Sequence, residues 1–156
     1  MNFDSSKVAH WLGFNFLYSI YLRQGLKDKE FPVRTTRITF MRKILIVDDD
    51  TDLLEAMKYF LKTRGYDVAV TISCDEALLI LDCFKPDLIF LDTEVGSQDG
   101  RTTCYRIRAQ AEYQHIPIIL ISANHEALKS YQEFGANAFI KKPFQLSTLL
   151  NTLQNH

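Results

Sequence analysis

At 156 residues the chain has room for one domain with a full core plus a short extension, and not for two domains. Its 47% hydrophobic content and 18 Lys/Arg against 19 Asp/Glu exclude a disordered chain and a nucleic-acid-coating protein, both of which need a strong compositional bias. The charge is uneven: residues 1–40 hold six Lys/Arg against three Asp/Glu, leaving twelve against sixteen beyond them, so the acidic part is where chemistry is expected.

The apolar run from Val8 to Leu22 is shorter than the roughly 20 residues that span a bilayer, and Asn15 and Ser19 interrupt it. It carries neither a basic leader nor a small-residue cleavage site. Met41-Arg42-Lys43-Ile44 reads as a natural beginning, so residues 1–40 are expected to lie upstream of the true start, with the domain over 41–156. A second reading stays open, in which Trp11, Phe14, Leu17 and Tyr18 belong to an apolar helix that docks on a partner or lies on a membrane surface. Its apolar residues surround the helix and form no strong stripe, which counts against membrane contact by residues 8–22.

From Lys43 onward, short β-branched runs alternate with stretches of helical period, the pattern of a parallel sheet covered on both faces. The pattern predicts strands over Ile44–Val47, Val68–Thr71, Leu88–Leu91, Ile118–Ile121 and Ala138–Ile140. Asp50 or Thr51 is expected to cap the first helix, where Leu54, Met57 and Leu61 recur at helical spacing and Gly65 marks a left-handed end. Ser73 and Glu76 match a capping box opening the second helix, and Lys85-Pro86-Asp87 closes it. Asp99 is read as opening the third. Right-handed crossovers then give one doubly wound α/β sheet with its crevice beyond the strands' carboxyl ends.

Nearly every conspicuous polar residue falls at such an end: Asp48 and Asp49 after the first strand, Asp92 after the third, Ser122 after the fourth, Lys142 after the fifth. Three crowded carboxylates stay ionised together only beside a cation, and their oxygen ligands suit a hard divalent ion, Mg²⁺ above all. Such an ion serves phosphoryl transfer. Lys142 can hold a phosphoryl oxygen as a point charge and the Ser122 hydroxyl can donate to another. Asp92, alone at the end of a central strand, is the expected nucleophile, with an acyl phosphate as product.

Other polar residues have plainer readings. Asp48 and Asp49 alone could be helix-start acids, Lys141 a surface charge, His115 and His125 surface residues, and Cys104 a packing residue. Asp48 to Asp52 resembles the start of a calcium loop, but the sixth and twelfth positions are Leu53 and Tyr59, not Gly and Glu. Cys74, Cys83 and Cys104 lack CxxC pairing or a nearby His, which argues against zinc or a disulfide framework and fits a reducing cytoplasm.

In this order and register the residues from 41 to 156 resemble the receiver domain of response regulators in bacterial two-component signalling, in its stand-alone, chemotaxis-regulator-like form. The resemblance implies a five-stranded parallel sheet of flavodoxin-like order 2-1-3-4-5, with helices on both faces. It implies that Asp48 and Asp49 bind Mg²⁺ with Asp92 and the backbone carbonyl of Glu94. It further implies Asp92 as phosphoacceptor, Ser122 and Lys142 (of Lys142-Pro143) as its helpers, Ser122 and Phe139 as the switch pair, and Glu94 and Asn124 as tuners of acyl-phosphate lifetime. The loop after Asp92 departs from the family's Met-Pro-x-Met-Asp-Gly: it reads Val95-Gly96-Ser97-Gln98-Asp99-Gly100. Gly96 in place of proline frees the backbone, so a looser loop around the metal-binding carbonyl is expected, with every reacting group kept.

The expected function is therefore a cytoplasmic single-domain response regulator that takes a phosphoryl group from a histidine kinase or phosphotransfer protein. No output domain is read after the receiver, so signalling would proceed by contact between proteins, without direct nucleic-acid binding. Phosphorylation would reshape the face of the fourth helix, fifth strand and fifth helix. It would not be an enzyme beyond its self-catalysed phosphotransfer and autodephosphorylation. One alternative is a phosphorylation-independent scaffold of the same fold. Another is a small phosphatase of the dehalogenase type, whose nucleophile lies on the first strand in Asp-x-Asp-x-Thr/Val; Asp48 to Asp52 misses that pattern, and no cap domain is read.

Overall fold

A computed structural model of the chain describes residues 41–124 and 130–156. The expectations for residues 1–40, for His125 and for much of the fourth helix lie outside these residues.

All five predicted strands form, and each runs one residue beyond its apolar pattern. They are β1 Lys43–Val47, β2 Asp67–Thr71, β3 Leu88–Asp92, β4 Ile118–Ser122 and β5 Ala138–Lys141. The additional residues are polar because ladder hydrogen bonds belong to the backbone and continue past the point where hydropathy stops. The strands pair in parallel in the order β2-β1-β3-β4-β5, the expected flavodoxin-like arrangement.

Among the described residues the helices are α1 Thr51–Lys62, α2 Cys74–Phe84, α3 Gly100–Arg108 and α4 Leu146–Asn155. Short 3₁₀ turns occupy Ala111–Tyr113 and Tyr131–Phe134. The twofold side-chain period of β1 divides the core into two layers. Ile44 and Ile46 pack with Met57 and Leu61 of α1 and Leu149 and Leu153 of α4. Leu45 and Val47 pack with Ala77 and Leu81 of α2 and Cys104 and Ile107 of α3. Each such Ile, Leu, Val or Met side chain, fully buried, contributes about 1.5–3 kcal/mol, so the sheet is a firm platform for its loops.

The helix boundaries follow local chemistry. Asp50 caps α1, its carboxylate accepting from the amides of Asp52 and Leu53 at 3.1 and 3.0 Å. Gly65 is left-handed (φ +86°) as expected, in the turn beyond the Thr63 cap. The capping box of α2 is half made: Ser73 Oγ accepts from the Glu76 amide at 3.4 Å, but the Glu76 carboxylate accepts from the Thr71 hydroxyl instead of the Ser73 amide. That amide donates to Thr71 Oγ1 at 3.1 Å, so the threonine ending β2 stands between the two expected partners.

At the amino ends of β4 and β5, Arg108 acts as a clamp. Its guanidinium donates to the carbonyls of Gly135 at 2.6 Å and Ile116 at 2.7 Å and to Asn137 Oδ1 at 2.6 Å. Burial pulls its pKa below the usual arginine value, and carbonyl dipoles take the place of a counter-ion.

Candidate functional site

The carboxyl ends of the strands build one polar pocket on an otherwise apolar sheet. Asp48 continues β1, its amide donating to the Thr71 carbonyl at 3.2 Å. Asp92 is the last residue of β3 and Ser122 of β4, and the Lys142 amide extends the ladder with a 2.8 Å bond to the Ser122 carbonyl. Asp48 and Ser122 are each 1% exposed and Asp92 5%, whereas Asp49 is exposed. Carboxylates so deeply buried require partners.

Lys142 is that partner. Its ammonium donates to Asp48 Oδ2 at 2.7 Å and also to Asp92 Oδ2. Asp48 Oδ1 accepts from the Asp50 amide at 3.0 Å, and Asp92 Oδ1 from the Glu94 amide at 3.2 Å. Burial raises the Asp48 carboxyl above the ordinary carboxylate range and the charge of Asp92 adds to it, outweighing Lys142 and the Asp50 amide. For Lys142, burial opposes the charge, but hydrogen bonds and attraction to Asp48 and Asp92 prevail and raise its pKa. Oxygen atoms of Asp48, Asp49 and Asp92 lie within 4.8 Å of one another, a donor set of hard oxygens suited to a divalent cation. A cleft beside Lys142 is lined by Leu53, Ala123, Pro143 and Phe144.

The loop behind Asp92 is folded as a hairpin. Glu94–Val95 pairs with Gln98–Asp99 as an antiparallel hairpin closed by Gly96 and Ser97. Positive φ is confined to Gly96 (+59°), the first turn residue, which is the pattern of a type II′ turn. Proline, held near −65°, has no access to that conformation. Gln98 buttons the hairpin to α2: its Oε1 accepts from the Cys74 amide at 2.9 Å and its Nε2 donates to Asp75 at 2.8 Å. Asp99 then caps α3 through the Arg101 amide at 2.8 Å, as expected. A Cβ on the next residue, Gly100, would lie 1.8 Å from the Asp92 carbonyl oxygen, so only glycine brings α3 this close.

The structure thus gathers Asp48, Asp49, Asp92 and Lys142. It holds Ser122 beside them but turned elsewhere: Ser122 Oγ accepts from the Thr93 hydroxyl at 2.7 Å and from the Asn124 amide at 3.0 Å. Phe139 is 44% exposed with its ring 5.2 Å from that of Tyr131. Glu94, Asn124, Lys141 and His115 are exposed, and Cys104 is buried as a packing residue, its thiol pushed up to about 11 by burial. Thr93, Gln98 and Gly100 escaped the sequence reading as positioning residues. Gly100 alone carried a signal, the Asp-Gly step at the start of a helix.

A doubly wound sheet whose strand ends gather buried acids around one lysine defines a receiver-type signalling domain. The chain belongs to the response regulator receiver domain family, whose model matches residues 44–154. It is 35% identical over 105 residues to the alkaline phosphatase synthesis transcriptional regulatory protein PhoP of Bacillus subtilis, covering 66% of this chain and 43% of that one. It is 31% identical over 112 residues to the DNA-binding dual master transcriptional regulator RpaA of Synechocystis, covering 70% and 46%. The chain thus spans less than half the length of these curated relatives. Among solved structures, the chemotaxis response regulator CheY4 of Vibrio cholerae aligns with TM-score 0.69 and 29% identity over 74% of this chain and 98% of that one. Among the described residues, no helix is long and apolar enough to cross a membrane.

Proposed function

We propose that this chain accepts a phosphoryl group on Asp92 from a histidine kinase or phosphotransfer protein in the cytoplasm and signals by phosphorylation-dependent protein contact. The observation that carries this reading is the single ammonium of Lys142 shared by the buried carboxylates of Asp48 and Asp92. An Asp92 oxygen attacks the phosphorus of a phosphohistidine. The O–P bond forms as the N–P bond breaks, and the departing imidazole keeps the electron pair and takes up a proton.

The oxygen donor set fits Mg²⁺, which when bound neutralises charge on the transferred group. Asp48, Asp49 and Asp92 would hold it, with the Glu94 carbonyl as a further contact. Lys142 stabilises one phosphoryl oxygen and Ser122 donates to another. Hydrolysis of the acyl phosphate returns Asp92 and inorganic phosphate, and Glu94 and Asn124 tune its rate. Half-exposed Phe139 offers a movable group between the site and the surface formed with β5.

The test is mass spectrometry after incubation with acetyl phosphate and Mg²⁺. One added phosphoryl mass is expected, and none for Asp92→Asn. Labelling that survives the substitution overturns the assignment, and partner binding indifferent to Asp92→Asn would favour a scaffold.

A further inference from the structure

We propose that Thr93 is a positioning residue that latches Ser122 in the unphosphorylated state. The inference rests on the phosphoacceptor reading of Asp92 and concerns a residue to which that reading assigns no role.

Thr93 and Ser122 are 2% and 1% exposed, and their hydroxyl oxygens lie 2.7 Å apart. Thr93 is fixed on both sides of its backbone: its amide donates to the Ile121 carbonyl at 2.9 Å, and its carbonyl accepts from the Gly100 amide at 3.0 Å. Its backbone therefore cannot shift to follow a departing serine without breaking these bonds. Ser122 Oγ is held in turn by the Thr93 hydroxyl and the Asn124 amide, while the Asp92 oxygens are engaged by Lys142 and the Glu94 amide. Ser122 Oγ spends its acceptor capacity on Thr93 and Asn124, so a Ser122 side chain that swings toward a group on Asp92 to donate leaves the buried Thr93 hydroxyl unpartnered. Every described buried side-chain oxygen or nitrogen is satisfied here, so that loss is a cost of switching. An apolar side chain at position 93 would impose no such cost. Thr93 thus sets how readily the site passes to its phosphorylated arrangement.

The full chain with Mg²⁺ is titrated with beryllofluoride, a phosphoryl analogue that caps a carboxylate. Thr93→Val is expected to bind about fivefold more tightly than the unsubstituted chain, the scale of one neutral hydrogen bond. Thr93→Ser, which restores the hydroxyl, should return the original affinity. In a Ser122→Ala background Thr93→Val should give no tightening, a result that a purely structural role would not produce. Thr93→Ala repeats the comparison if the valine variant folds poorly. Unchanged or weaker binding by the hydroxyl-free variants, while the unsubstituted chain binds, overturns the latch. Failure of the unsubstituted chain to bind or to be labelled overturns the phosphoacceptor reading beneath it.

Discussion

The Lys142 ammonium lies 2.7 Å from Asp48 Oδ2, although the two residues follow strands with β3 and β4 between them. Only a long, flexible side chain bridges that width, and in doing so it passes over Asp92 and pairs with it too. One cation thereby restrains two buried anions.

Lys142→Met should remove that restraint while keeping most of the side-chain volume. Labelling of Asp92 by acetyl phosphate is expected to slow by about 100-fold or more, the usual effect of losing one preorganised donor. Time-resolved mass spectrometry reads this directly, and a rate within a few-fold of the original would remove Lys142 from the chemistry.

Asp48 has a raised folded-state pKa, so its contribution to stability is fully present below the unfolded value of 3.8 and is lost as pH rises through the folded value. At neutral pH the ionised group therefore costs the metal-free fold. Asp48→Asn should stabilise the metal-free chain at pH 7 by roughly 1 kcal/mol, the scale of what functional sites give up. The gain should shrink on acidification. In urea titrations, saturating Mg²⁺ at about 100 times its dissociation constant should add about 2.7 kcal/mol to the unsubstituted chain and much less to the variant.

Gly100→Ala places a methyl group against the Asp92 carbonyl oxygen, where the distance would be 1.8 Å. Backbone must move, and a loss of about 1–3 kcal/mol is expected, together with slower labelling because the displaced residue is Asp92 itself. Gly96→Pro should also destabilise, since proline cannot occupy φ +59°. Equal stability of that variant would mean that the hairpin can close by another turn.

Gln98→Ala unbuttons the hairpin from α2 and leaves the Cys74 amide without its side-chain partner. The expected loss is about 1 kcal/mol. Amide hydrogen exchange should speed up at residues 94–99 while β3 stays protected.

Arg108→Met removes the clamp and strands several carbonyls. A loss of about 3 kcal/mol is expected from hydrogen bonds to a buried charge. Arg108→Lys should recover little of it, because an ammonium cannot match a planar fork that reaches Gly135, Ile116 and Asn137 together. Chemical denaturation of the three chains decides the point.

The strands and the order of the sheet were legible because β1, β3 and β4 are nearly all apolar, and because such runs alternating with helical periods leave few topologies. The pocket was legible for the same reason: Asp48, Asp92, Ser122 and Lys142 interrupt hydropathy at strand ends. What stayed hidden depended on partners distant in sequence. Nothing near Gln98 announces that its amide meets Cys74 and Asp75, and Gly96, taken as a source of looseness, is the residue a tight hairpin turn requires. Thr93 reads as an ordinary strand-end residue until Ser122, 29 positions away, is placed against it.

β3 is central in the sheet, its Asp92 is in register with Ile121, and both flanks of the following Thr93 backbone are hydrogen bonded. The chain there behaves as an anvil. The phosphoryl group proposed for Asp92 would meet backbone held on both flanks, so its load would pass sideways, through side chains that reach toward β4 and β5. A message leaving the pocket by that route would run transverse to the strands, with a rigid point of attachment as the condition for movement elsewhere.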